Sequence, residues 1–143
     1  MKIESVIFGE LEINEDTIIT FKGGIPGFSE EKYVIIEDEE NKVFFWIQSI
    51  ENPIVVLPLI NARFFVEEYV PIINNPLFSE TSEEDMAIYN IVKVTDNIEE
   101  LTVNLKGPIV IDTKEKKGMQ VVSDGDFSVK HQLFTGKSKK EAN

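Results

Sequence analysis

The chain has 143 residues, 42% of them hydrophobic and ten of them phenylalanine, with a formal net charge of −12. This is enough for one domain with its own core; the composition excludes disorder for the bulk of the chain, and no apolar run approaches a bilayer span. With no cysteine, disulfides, thiolate metal sites and cysteine nucleophiles are excluded, and with no signal peptide at Met1-Lys2-Ile3-Glu4 the chain is expected to be cytoplasmic, away from membranes.

Ile3-Glu4-Ser5-Val6 alternates and leads into apolar Val6 to Phe8, and β-branched Thr17 to Phe21 predicts the next strand. Phe21-Lys22-Gly23-Gly24-Ile25-Pro26-Gly27-Phe28 then forms a shaped corner. Its glycines accept positive φ, Pro26 fixes φ, and the aromatic ends can be buried while the centre turns. The spacing does not match a phosphate-binding loop. Tyr33 to Ile36 is a strand cut off by the polar run 37–42, and Val43 to Ile50 and Ile54 to Ile60 flank the hairpin turn Glu51-Asn52-Pro53. Phe44-Phe45-Trp46 puts aromatics on both faces of its strand, so at least one must be covered from outside its own sheet. Arg63-Phe64-Phe65-Val66-Glu67-Glu68-Tyr69 combines three aromatics, two acids and the sole arginine, a composition suited to a binding patch. Asn75 to Asp85, with Pro76 at a first helical position, is the best helix candidate. Met86 to Thr95, Leu101 to Leu105, Ile109 to Thr113, Met119 to Ser123 and Phe127 to Leu133 complete the strands. Short strands punctuated by Gly, Asn, Asp and Pro, with no long helical runs between them, predict a mainly β fold, an antiparallel sandwich or small barrel.

Little in the chain suggests catalysis. His131 is the only histidine, which leaves no histidine metal cluster and no nucleophile-elbow triad. The carboxylates crowd into adjacent runs, and turn chemistry explains Asp124-Gly125-Asp126 better than calcium does. The expectation is a non-enzyme without metal or cofactor. Charge is uneven: residues 1–105 hold 21 Asp/Glu against 6 Lys/Arg, whereas residues 106–143 hold 5 against 8. Such a body repels nucleic acid and attracts a basic protein.

Five segments share an order and spacing: Phe21…Gly24-Ile25-Pro26-Gly27-Phe28, Trp46-Ile47-Gln48-Ser49 with Asn52-Pro53, Phe64…Tyr69, Asn104-Leu105-Lys106-Gly107-Pro108-Ile109, and Gly118-Met119-Gln120 before Lys130-His131. In this register the chain resembles the flagellar assembly factor FliW family over residues 3 to 134. The resemblance implies a small antiparallel β-barrel, partly open and with one short helix, in a single domain over 1–135, followed by a polar basic tail over 136–143. It also implies a non-enzymatic partner switch. FliW-like proteins bind flagellin, and when released they bind and antagonise the translational repressor CsrA, with no direct contact to nucleic acid.

On this reading Phe64, Phe65 and Tyr69 are apolar anchors, and Glu67 and Glu68 steer a basic partner. If the segment is extended, alternation puts Phe65, Glu67 and Tyr69 on one face, so the five cannot all meet one partner. Gly24, Ile25, Pro26, Gly27, Phe28, Gln48, Asn104 and Pro108 belong to the framework, fixing turns and satisfying buried backbone groups. The alternative is a small β-barrel that binds a ligand or carbohydrate in its mouth, in a pocket lined by Trp46 and phenylalanines.

Overall fold

Short runs of β-branched and aromatic residues, broken by the polar stretches 37–42 and 51–53, make residues 32–60 an antiparallel meander. The computed structural model describes residues 1–133, and the basic tail lies outside them. In chain order the strands are β1 Lys2–Ser5, β2 Gly9–Glu12, β3 Ile19–Thr20, β4 Lys32–Glu37, β5 Phe44–Ser49, β6 Val56–Ile60, β7 Met86–Lys93, β8 Thr102–Val103, β9 Ile109–Asp112, β10 Lys117–Gln120 and β11 His131–Gln132. The meander register pairs Ile35 with Ile47 and Trp46 with Pro58. Proline is tolerated inside β6 because β7 pairs only with Leu59 and Ile60, leaving an unpaired edge at Pro58.

β7 is the hub. Its first half, Met86 to Tyr89, pairs with β9, its middle pairs with β6, and Val92 and Lys93 pair with β8. The β7–β9 pairing closes a seven-strand ring in the order β7-β6-β5-β4-β3-β10-β9. β8 and β11 extend outward from β7, while β1 and β2 form a separate hairpin. The expected mainly β barrel is therefore present, and it differs in detail. The ring is closed, β3 runs parallel to β10 at Thr20 and Lys117, and helical structure among the described residues is limited to 3-10 turns.

Phe21, Ile25, Tyr33, Ile47, Val55, Leu59, Ile109 and Ile111 fill the ring. A second core, outside it, joins Ile60, Tyr69, Val92, Leu101, Val103 and Leu105, and a third joins Phe78, Val110 and Val121. β9 is buried along its whole length because Ile109 and Ile111 face the barrel while Val110 faces the third core. Trp46 obtains part of its cover from the β1–β2 hairpin. Phe8 meets it edge to face at 5.8 Å between ring centroids, and Val6 N–H donates to Pro53 O at 2.9 Å.

Other segments depart from the pattern read along the chain. Val6 to Phe8 is a turn, because Ser5 Oγ accepts from both Ile7 N and Phe8 N at 3.1 Å and ends the strand. Residues 75–85 form two separate 3-10 turns, Pro76–Phe78 and Glu83–Asp85. Thr81 Oγ1 donates to the buried Asp112 carboxylate at 2.7 Å, pulling the chain off any continuous helix axis. Only His131–Gln132 of the last predicted strand is in a ladder.

At the glycine corner, Gly24 N donates to Phe21 O and Phe28 N to Ile25 O, both at 2.7 Å, so the chain folds back and carries Ile25 and Phe28 into the barrel core. Gly24 has φ +82°, and a Cβ there would lie 2.2 Å from Phe28 O. Gly23 has φ +83° with open space around it. Gly24→Ala is therefore expected to cost more than about 2 kcal/mol, and Gly23→Ala about 1 kcal/mol, in urea unfolding.

Tyr33 is fully buried, and among the described residues its hydroxyl has no protein hydrogen-bond partner. Burial, reinforced by Glu30 and Glu51, pushes its pKa up to about 12. A raised phenol pKa stabilises the fold fully below the ordinary value near 10, and that stability is lost as pH climbs from there towards 12. Tyr33→Phe is expected to change stability little at pH 7 and to fall less steeply than the natural protein above pH 10, as measured by unfolding across that range.

Candidate protein-binding surface

After β6 the chain must leave the barrel wall, and Asn61 shapes its departure. Its Oδ1 accepts from Arg63 N at 3.1 Å and caps the 3-10 turn Ala62–Phe64. Val66 N and Phe65 N both donate to Ala62 O, at 2.8 and 3.0 Å, which keeps the turn tight. Ala62 is fully buried, so consecutive residues after it are thrown outwards. Phe64 is 79% exposed and Phe65 47%. Glu67 and Glu68 are also exposed, and Glu68 holds φ +62°, a left-handed conformation that costs a non-glycine residue about 1 kcal/mol or more.

Tyr69 stands apart from these four. It is 4% exposed, meets Phe127 edge to face at 4.9 Å between ring centroids, and belongs to the second core. Its hydroxyl donates to Leu105 O at 2.7 Å and accepts from Asn90 Nδ2 at 2.9 Å. Burial raises its pKa, partly offset by the Asn90 bond and by Arg63. The structure thus brings Phe64, Phe65, Glu67 and Glu68 to the surface on a turn that Tyr69 anchors from below.

Two residues that sequence reasoning passed over extend the apolar surface. Val70 and Ile72 are exposed on the extended run after Tyr69, where Ile72 N donates to Ser123 Oγ at 2.9 Å. They alternate in exposure with half-buried Pro71 and Ile73, but Val70-Pro71-Ile72-Ile73 is apolar throughout, so the sequence carries no signal that separates them. The result is a chain-contiguous surface of Phe64, Phe65, Val70 and Ile72 with Glu67 and Glu68 between them. Large apolar groups beside charges suit a protein partner.

The framework residues lie elsewhere. Gly24 to Phe28 form the corner at one end of the barrel. Gln48 is fully buried on the β5 face opposite Ile47, donating to Ser49 O at 2.9 Å. Asn104 Oδ1 accepts from Gly107 N at 2.8 Å, and Pro108 O accepts from Val121 N at 2.9 Å, so both sit at the bend between β8 and β9.

Beside a polar recess of about 410 Å³ lined by Thr81, Ser82, Asp85, Asp112 and Lys117, the surface carries two apolar ones. One, of about 250 Å³, opens at a barrel mouth between Ile19, Ile35, Ala87, Tyr89 and Ile111. The other is an apolar groove of about 340 Å³ on the outer face of β5 and β6, lined by Phe44, Trp46, Pro58, Val94 and Leu101 with Asp38 and Asp96 at its rim. Among the described residues no group of three or more His, Asp or Glu is placed to hold a metal ion, and no helix is long and apolar enough to cross a membrane.

Tyr69→Phe keeps the ring and removes the hydroxyl, leaving Leu105 O and one Asn90 amide proton without this partner in a buried setting. It is expected to cost about 1–3 kcal/mol in chemical denaturation.

Residues 2–133 match the family model described as FliW protein. A flagellar assembly factor FliW of Lachnospira eligens is 33% identical over 150 residues, covering 99% of both chains. Another, from Thermoanaerobacter pseudethanolicus, is 38% identical over 140 residues, covering 94% of this chain and 93% of its own. A crystal structure of the flagellar assembly factor FliW superposes with a TM-score of 0.86 at 32% identity, covering 94% of this chain and 98% of that one.

Proposed function

The chain belongs to the FliW family of flagellar assembly factors, and from that premise we propose that it is a cytoplasmic, non-enzymatic partner switch. It binds flagellin, and when flagellin leaves it binds and antagonises the translational repressor CsrA. The observation that carries this reading is the surface of Phe64, Phe65, Val70 and Ile72, held out on a turn whose base is pinned by buried Tyr69. Burying an exposed aromatic ring yields about 25 cal/mol per Å², so a few such anchors supply most of an interface's affinity. Glu67, Glu68 and the acidic body act over longer range. They raise the rate of encounter with a basic partner and discriminate against an acidic one, nucleic acid included.

The ligand-binding alternative is less well supported. Phe21, Tyr33, Ile47 and Leu59 fill the ring, the mouth recess of about 250 Å³ is smaller than the ~300–1,000 Å³ typical of ligand pockets, and the recess that does hold Trp46 and Phe44, about 340 Å³, is a groove on the outer face instead of a barrel mouth.

Calorimetric titration with purified CsrA, repeated with flagellin at saturation, tests the switch. Weaker CsrA binding in the presence of flagellin is the expected result, and equal binding would separate the two sites. The Phe64→Ala/Phe65→Ala protein, with an unchanged circular dichroism spectrum, is expected to bind at least one partner about tenfold or more weakly, since each tenfold is about 1.4 kcal/mol. Natural affinity for both partners would remove the 64–72 surface from the function, and failure of the unmodified chain to bind either would sink the reading itself.

A further inference from the structure

The groove on the outer face of β5 and β6 shares no lining residue with the 64–72 surface, and its chemistry selects an occupant. Its floor is aromatic and aliphatic: Phe44, Trp46, Pro58 and Leu101. Val94, 62% exposed, forms a wall that nothing covers among the described residues. At the rim the Asp38 carboxylate is held in place, with Oδ1 accepting from Glu40 N and Asn41 N at 3.0 Å and Oδ2 from Trp46 Nε1 at 3.3 Å. These bonds, with that from Asn41 foremost, hold its pKa below the usual carboxylate value, so the charge is present at neutral pH.

The two segments that border the groove decide the sign of the partner. Residues 37–42 and 93–101 hold seven carboxylates against two lysines. One of those lysines, Lys42, lies 3.5 Å from the Glu37 carboxylate, and the other, Lys93, is exposed just before Val94. An acidic partner or a nucleic acid would be repelled here, whereas a cationic one gains from the rim, and its ammonium or guanidinium groups can also rest on the Trp46 face.

We propose that this groove docks a basic protein segment in which an aliphatic anchor residue sits between lysines or arginines. The anchor fills the space between Trp46, Pro58 and Val94, and the flanking cations meet Asp38 and Asp96. The proposal takes from the functional reading only that the partner is a protein. It concerns a second surface and does not depend on which partner occupies residues 64–72.

Trp46 is the only tryptophan in the chain, so its fluorescence reports on the groove directly. The probes are a synthetic lysine–glycine peptide with a central leucine and the same peptide with serine in that place. The leucine peptide is expected to shift Trp46 emission saturably and to bind about tenfold more tightly than the serine peptide, with both weakened by salt. Val94→Glu adds a negative charge to an exposed wall while spoiling the apolar space. It is expected to weaken the leucine peptide about tenfold, whereas attraction by charge alone would strengthen it. The Phe64→Ala/Phe65→Ala protein is expected to keep the full response, and losing it would overturn the groove as a separate site. Equal binding of the two peptides, no saturable emission change, or unchanged or tighter binding by Val94→Glu would each overturn the proposal. An emission change driven by protein concentration alone would assign the groove to a second copy of this chain instead.

Discussion

The buried carboxamide of Asn90 is the interaction on which the architecture turns. It lies where β7 exchanges one neighbour for another, between the stretch paired with β9 and the stretch paired with β8. Two strands diverging from one edge leave backbone groups without a ladder, and orphaned groups in a buried setting cost about 1–3 kcal/mol each. Asn90 resolves this with a single side chain. Nδ2 donates to Asn104 O at 3.0 Å and to Tyr69 Oη at 2.9 Å, while Oδ1 accepts from Ala62 N at 3.3 Å. One amide thus holds the split in the sheet and both ends of the 62–69 turn.

This arrangement links the fold to its exposed surface. Because Ala62 and Tyr69 are fixed to the same buried group, the residues between them have little room to collapse onto the barrel. Phe64 and Phe65 remain in water, although burying them in the core would be favourable in isolation. The left-handed Glu68 points the same way, since strain at a surface turn persists only where the surroundings over-determine it. Rigid presentation of aromatic anchors reduces the ordering cost of association.

The cores are arranged in the same spirit. The ring is filled by its own side chains, and the large exposed apolar groups lie on the outer faces. The 62–69 turn covers one outer face, residues 73–78 cover another, and the β1–β2 hairpin reaches over Trp46 by way of Phe8. Between Trp46 and the 94–101 segment the cover is incomplete, and that gap is the acidic-rimmed groove. Acidic side chains flank the exposed apolar groups at both surfaces, a pattern that favours cationic over acidic partners.

Much of this was legible in the residues themselves. Strands β4 to β7 and β9 fall where short runs rich in β-branched and aromatic residues, bounded by turn residues, put them, because such side chains pack well on a pleated surface whatever the rest of the chain does. The need of Phe44-Phe45-Trp46 for outside cover was also local, and Phe8 provides part of it. The ends of the short elements were less legible. Ser5 stops β1 with its own hydroxyl, and Thr81 is drawn to Asp112, a residue 31 positions away that no local pattern announces. The same limit applied to the surface. Phe64, Phe65 and Tyr69 are alike in composition, and only the position of Asn90 and Leu105 decides that Tyr69 turns inward while the phenylalanines face water. By itself the sequence determined strand-forming runs, turns and charge, which depend on neighbours along the chain. Ring closure through β7 and β9, the burial of one aromatic among three, and the groove beside Trp46 were decided only by the tertiary structure, because each depends on contacts between residues far apart in the chain.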